Sequence, residues 1–332
     1  MRALRGYRLF ISGILCLPLV LLSSPSGASS HGHDFGLPTA VAASNGRIWI
    51  ANFSGGVTEV SATSGVVIQK IPNHGYLYHP VAIVAQGSYV WVASAASDSV
   101  TELNAANGAV MRVMTRGVSG PTALAIFGDR LWVDNYGNNS LTELNLATGS
   151  PIMELHGASY RFSQSLGIAV GGGKVWVANS NGNSVTEVQA STGRLVKVLN
   201  SSRDKLSEPD ALTFANGELY VANGYPASIS VINTASDSFV RQLAMPLSTT
   251  NEANIPMALT NDRGKVWAAN GYGNSVTAFD EYNGDVVFNV QQSFDEARSV
   301  VASRGFIWVA NYVNSSLTQI NESNGIIEQV IR

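Results

Sequence analysis

One unit written seven times restricts what this chain can fold into more than any of its other features. Trp49, Trp91, Trp132, Trp176, Tyr220, Trp267 and Trp308 stand 42, 41, 44, 44, 47 and 41 residues apart, and the chain has no other tryptophan. Most of these anchors open the same tetrapeptide. Examples are Trp49-Ile50-Ala51-Asn52, Trp132-Val133-Asp134-Asn135, Trp176-Val177-Ala178-Asn179, Tyr220-Val221-Ala222-Asn223 and Trp308-Val309-Ala310-Asn311. Repeats of this length cannot bury an apolar face alone, and they form a core by stacking on their neighbours.

The third copy shows what one unit is. Residues 122–127 form a compact apolar run, expected to be a buried strand, and residues 130–135 carry the tryptophan on a second strand. A polar loop at 136–139 leads into Ser-Leu-Thr-Glu-Leu-Asn at 140–145, whose alternation marks a strand. Ala147-Thr148-Gly149 is a hairpin turn, and residues 151–155 form an outer strand that tolerates Pro151 because an edge leaves N–H groups unpaired. Other copies repeat the third strand as Val57-Thr58-Glu59-Val60, Val100-Thr101-Glu102-Leu103 and Val185-Thr186-Glu187-Val188. Their turns end in Gly65, Gly108, Gly193, Gly284 and Gly325, where the hairpin needs a positive φ. Four short strands joined by hairpin-length loops make one antiparallel blade. The chain is therefore expected to be all-β, a seven-bladed β-propeller of four-stranded antiparallel blades. The first copy starts near Pro38 and the seventh ends at Ile331, so each copy supplies its own four strands and blade packing alone closes the ring. A β-solenoid uses shorter repeats, and a sandwich has no reason to repeat its tryptophan.

The domain reading is a signal peptide at 1–30, a short segment at 31–36 and the propeller at 37–332. Arg2, Arg5 and Arg8 precede an apolar run of 14 residues, Leu9 to Leu22, which is too short to span a bilayer comfortably. The small, polar stretch Ser23 to Ser30 suits a cleavage region, and Cys16, the only cysteine, leaves with the leader. A secreted or periplasmic protein without thiols is expected, held together by burial, which about 300 residues can supply. Without the three leader arginines the balance is 17 basic against 23 acidic side chains, a net −6. That charge argues against nucleic acid and anionic membranes as partners. A monomer without membrane insertion after cleavage is expected.

The tetrapeptides resemble the YVTN type of bacterial propeller repeat, with Tyr220-Val221-Ala222-Asn223 the nearest match, and the chain is similar more widely to NHL-repeat propellers and to the virginiamycin B lyase group. The resemblance covers residues 37–332 and implies the fold. For the lyase group it implies a metal-assisted centre of histidines and carboxylates in the later blades. The histidines here are His31, His33, His74, His79 and His156, so the last three blades have none to match.

The repeat also serves as an internal control, because positions that recur are scaffold and positions that break the pattern are candidates. The tryptophans are expected to pack between blades, the tetrapeptide asparagine to cap the next loop, and the third-strand threonine and glutamate to form a solvated face. Two loop sets should share one rim of the channel. The outer-to-inner connections are longest at 72–80, 156–165, 200–209 and 245–256, and they carry Tyr76, Tyr78, His79, Tyr160, Arg161, Phe162, Arg203 and Glu208. The second-to-third connections carry Phe53, Tyr136, Tyr225, Tyr272 and Tyr312. Such aromatics suit a protein, peptide or carbohydrate ligand, or they pack the loops against each other. Charged departures flank the start of the inner strands: His79, Glu208, Asp210, Glu296 and Arg298. Glu208, Asp210 and Glu296 can gather a divalent cation at the channel mouth, or be neutralised by Arg298; no other cofactor is expected. Asp134 replaces the alanine of the other six copies, and needs a specific partner or a raised pKa. No serine elbow, His-Glu-x-x-His or phosphate loop is present. The functional expectation is a binding or scaffold module acting through an aromatic-rich rim. The alternative is a metal-assisted lyase or hydrolase using the acidic channel mouth.

Overall fold

The computed structural model describes residues 34–248 and 253–332. The leader read at 1–30, with His31 and His33, lies outside these residues.

Strands are numbered β1–β28 in chain order, four to a blade. In blade 1 they are β1 (Pro38–Ser44), β2 (Arg47–Asn52), β3 (Val57–Ser61) and β4 (Val67–Ile71). All seven sheets have four strands in sequential antiparallel order, so the chain is an all-β seven-bladed propeller. Among the described residues no strand is shared between the first and last blades. They meet by packing, with Phe35, Val41 and Ile50 buried against Trp308 and Leu317. Side-chain bonds seal the joint, where Val41 N–H donates to Ser299 Oγ at 3.1 Å and Leu37 N–H to Ser315 Oγ at 3.3 Å. Phe35, read as part of a short N-terminal segment, is thus a wedge between blades 7 and 1.

The core is divided into seven clusters, one at each blade interface, and each contains one anchor ring. Trp49 packs with Ile83 and Val92 of blade 2, and Trp267 with Val300 and Ile307 of blade 7. The anchors are at most 3% exposed, which is why a large aromatic recurs there.

One expectation is overturned. The third-strand threonine and glutamate are not solvated: Thr58, Thr101, Thr142 and Thr186 are buried, as are Glu59, Glu102, Glu143 and Glu187. The alternation was sound, but a strand third from the channel has a neighbouring blade on each face, so both sets of side chains meet protein. Each acid has a basic partner: Glu59 with Arg47 at 2.5 Å, Glu102 with Arg112 at 3.0 Å, Glu143 with Arg130 at 3.1 Å, and Glu187 with Lys174 at 2.6 Å. The threonines receive the tetrapeptide asparagine, whose amide donates to Thr142, Thr186, Thr277 and Thr318 at 2.8 to 3.0 Å. In blades 1, 3, 4 and 5 its carbonyl also accepts a backbone N–H from the preceding interblade loop. The asparagine therefore ties a loop to two strands, a larger role than capping.

Candidate functional site

The channel mouth is built by three positions that recur in every blade. Each inner strand starts with a β-bulge, whose extra residues are Thr39, Val81, Thr122, Leu166, Asp210, Met257 and Arg298. A bulge bends the strand and re-aims one side chain, a common device beside functional sites. The residue before each inner strand is the second position. In six blades it has a left-handed backbone: Leu37, His79, Gly120, Gln164, Glu208 and Glu296, with φ between 46° and 57°. Its carbonyl accepts the N–H of the first residue of the second-to-third loop, the third position, as in Phe53 N to Leu37 O (2.9 Å) and Tyr312 N to Glu296 O (3.1 Å). The scaffold thus places two or three variable side chains per blade around the mouth without spending its own hydrogen bonds on them.

A latch fixes these positions between blades. The residue before the third strand is itself left-handed in five blades: Asp98, Asn139, Asn183, Asn274 and Ser315. Its side chain accepts the N–H of the next blade's left-handed lead-in residue. Asn183 Oδ1 accepts from Glu208 N at 2.7 Å, Asn274 Oδ1 from Glu296 N at 2.8 Å, and Asn139 Oδ1 from Gln164 N at 3.1 Å. Short polar side chains tolerate this backbone region best. The Asn, Asp or Ser recurring before the third strand in five blades was the visible signal for a latch that sequence reasoning missed.

The rim divides into chemically different sectors. Across blades 7, 1 and 2 the variable side chains form one connected cluster. The His79 imidazole stacks on Phe53 at 4.3 Å with 7° between planes, and on Tyr78 at 4.6 Å. Phe53 meets the edge of Tyr312 at 6.1 Å, the Arg298 guanidinium lies 3.6 Å from the Tyr312 ring centre, and Arg298 pairs with Glu296 at 2.6 Å. Burial lowers the His79 pKa, which favours the neutral imidazole. Burial raises that of Tyr312 against the opposing effect of Arg298. Tyr78 and Tyr76 stay about half exposed at the outer end of the cluster.

Blade 5 carries the acidic sector. Asp210 accepts from Ser180 Oγ of blade 4 at 2.9 Å, and Glu208 lies two residues before it. Glu296 sits two blades on, paired with Arg298. The three acids read as a cation site are therefore not gathered together, and among the described residues no group of three or more His, Cys, Asp or Glu side chains is placed to hold a metal. Tyr225 is the most exposed of the four loop tyrosines, and its carbonyl accepts from Ser207 Oγ. Tyr272 is half-buried with its hydroxyl inside, and Tyr136 is half-buried with its N–H bonded to Gly120 O at 3.1 Å. Tyr160 and Phe162 stack at 5.4 Å, and Phe162 joins the core between blades 3 and 4, so this pair packs its loop.

Asp134 is not at the surface. Its carboxyl accepts from Ser165 Oγ at 2.5 Å and Thr122 Oγ1 at 3.2 Å, and burial raises its pKa to about 7 against both hydrogen bonds. Ser165 is itself a departure, standing where five other blades begin the inner strand with proline. Two departures therefore explain each other: the acid in blade 3 bolts to the serine that opens blade 4.

Residues 112–329 match the PQQ_2 family, described as outer membrane protein assembly factor BamB, and the chain belongs to that family. The YVTN likeness of the tetrapeptides remains a likeness of motif. No curated protein matches in sequence. Among solved structures the chain is similar to Kuenenia stuttgartiensis hydrazine synthase, with TM-score 0.71, 17% identity, and coverage of 90% of this chain and 100% of that one. It is also similar to a streptogramin B lyase, with TM-score 0.73, 15% identity, and coverage of 87% and 94%. A third is virginiamycin B lyase from Staphylococcus aureus, with TM-score 0.72, 17% identity, and coverage of 85% and 93%. At such identities these likenesses establish the fold and no activity.

Proposed function

We propose that this protein is an exported propeller that binds a peptide or protein segment through the rim of blades 7, 1 and 2. One observation carries the reading: Tyr78, His79, Phe53, Tyr312, Arg298 and Glu296 come from three blades, and at positions whose side chains vary from blade to blade they form one continuous cluster. Blade packing does not need them, because blades 2, 4, 5 and 6 place alanine, serine or glycine at the Phe53 and Tyr312 position, while blade 3 places Tyr136 there. Neutral stacked rings beside a positioned guanidinium suit aromatic or aliphatic side chains and backbone carbonyls of a partner. The family description, an outer membrane protein assembly factor, favours a protein partner over a sugar. The leader and the net negative charge of the remaining chain fit an envelope or external location. The metal-assisted lyase reading lacks its base, since no histidine follows His156.

Photo-crosslinking in cells tests this. A benzoylphenylalanine at Tyr78 should give a discrete protein adduct, whereas one at Tyr89, exposed at the far end of blade 2, should not. Equal labelling from both positions, or none from Tyr78, would defeat the reading.

A further inference from the structure

Seven outer strands end the seven sheets, and six carry a charged side chain. These are Lys70 in β4, Arg112 in β8 (Val110–Met114), Glu154 in β12 (Pro151–Leu155), Lys197 in β16 (Leu195–Asn200), Arg241 in β20 (Ser238–Ala244) and Glu328 in β28 (Ile327–Ile331). The exception is β24 (Val286–Val290), Val-Val-Phe-Asn-Val, which runs on into Gln291-Gln292-Ser293. A charge on an edge strand repels a strand seeking the unpaired N–H and C=O groups, and natural sheets use lysine for this purpose. Only blade 6 leaves this device out.

Three further features converge on the same edge. A groove of about 370 Å³ runs along it, lined by Phe288, Asn289, Val290, Gln291, Gln292 and Gly325 of the next blade. The two most exposed large apolar side chains of the described residues belong to the segments next to this edge. Tyr282, 94% exposed, lies in the turn that leads into β24. Leu247, 91% exposed, lies just beyond β24, where its carbonyl accepts from Gln291 Nε2 at 3.0 Å. The next value in that group is 63%, for Val66. The electrostatic setting is one-sided as well. From Val266 to Asp295 the chain holds four carboxylates, Asp280, Glu281, Asp285 and Asp295, and no lysine, arginine or histidine.

We infer that β24 is a docking edge that accepts an extended segment of a partner protein as a fifth strand of blade 6. The segment has an uncharged, alternating apolar core and lysine or arginine at its flanks. Main-chain hydrogen bonds to the open side of β24 provide the pairing, and apolar side chains of the segment lie in the groove and against Tyr282 and Leu247. The basic flanks meet the carboxylates of the blade 6 connections. This surface lies on the outer wall and is independent of the rim sector.

The test uses the full chain and a fluorescein-labelled peptide of alternating valine and threonine between pairs of lysines. Anisotropy titration should show saturable binding, and Val287→Lys, which restores the charge other edges carry, should weaken it at least about tenfold. Val196→Lys on the already charged β16 should leave it within about twofold, and a peptide with glutamate flanks should bind at least about tenfold more weakly. Hydrogen exchange of the unsubstituted protein should show the amides of 286–290 slowed by the peptide, a readout independent of any variant's folding. Absent binding, equal loss in the two lysine variants, or protection elsewhere would overturn the inference. A wild-type dimer that Val287→Lys converts to monomer in sedimentation would also overturn it, by making the occupant a second copy.

Discussion

Blades 4 and 5 fill the same interior slot with different chemistry. In blade 4 the anchor is Trp176, whose indole N–H donates to Glu187 at 3.1 Å, and Glu187 pairs with Lys174 at 2.6 Å. In blade 5 the anchor is Tyr220, and the residue cross-strand from it is Val231 instead of an acid. The acid has moved with the donor: Tyr220 donates to Glu218 Oε2 at 3.0 Å, and Arg241 pairs with Glu218 at 3.1 Å. Burial together with Glu218 suppresses ionisation of the Tyr220 hydroxyl. Burial raises the Glu187 pKa although Lys174 and Trp176 both oppose it. Blades 4 and 5 therefore keep one arrangement, a large ring with its polar tip matched to a paired acid, while the residues that build it change; blades 6 and 7 set Ala278 and Gln319 opposite their anchors instead.

The largest expected effects probe that arrangement directly. Trp176→Ala should cost roughly 3–5 kcal/mol by denaturant midpoint, the range for deleting a buried large aromatic. Val231→Glu, which gives blade 5 the acid of blade 4 without its cation, should cost a comparable amount, about 3 kcal/mol or more, because the new carboxylate is buried without a partner. If Val231→Glu were near neutral, Arg241 would have to serve both acids and the two blades would be interchangeable. Val231→Gln should cost clearly less, since blade 7 already accommodates Gln319 at this position.

The interface between blades 3 and 4 gives the next effect, and its sign follows from linkage. Asp134 has a folded-state pKa of about 7, above its ordinary value of 3.8. Between those values the folded protein binds more protons than the unfolded one, so stability is fully present below about pH 4 and falls as pH rises to about 7. At about 1.4 kcal/mol for each pH unit separating the two values, Asp134 accounts for a fall of a few kcal/mol. Glu102, Glu143 and Glu281 are also raised by burial and add to the same slope. Asp134→Asn should therefore flatten the decline in unfolding midpoint from pH 5 to pH 8 without abolishing it. A decline of unchanged steepness would remove Asp134 from the account.

The anchors, their period and the glycine turns made the fold legible, because each expresses a local need that recurs in every copy. The buried polar layer was not legible, since Ser-Val-Thr-Glu-Val-Gln alternates identically whether its polar face meets water or another blade. The candidate site was legible as a set of departures and illegible as a geometry. Glu208, Asp210 and Glu296 looked alike in sequence, but blade order separates Glu296 from the other two and Arg298 engages it. Phe53 and Tyr78 were noted as rim aromatics, but nothing in their spacing shows that His79 stacks on both. That contact depends on the left-handed backbone of His79.

The smallest expected stability effect sharpens the contrast between interior and rim. Tyr78 is about half exposed and stacks on His79 by one face only. Tyr78→Ala should change the unfolding free energy by under about 1 kcal/mol, a fraction of the cost at Trp176, because little apolar area returns to water. The same substitution should weaken capture of the crosslinked partner at least about tenfold, the signature of an exposed anchor at an interface. Phe53→Leu provides the gradation: it retains volume beneath His79 but loses the parallel stack and the edge contact with Tyr312. Its effect on partner binding should be intermediate, with little change in the unfolding midpoint. If binding and stability instead fell in proportion across Tyr78→Ala and Phe53→Leu, these rings would be packing their loops as Tyr160 and Phe162 do. The interior and the rim would then differ only in degree of burial.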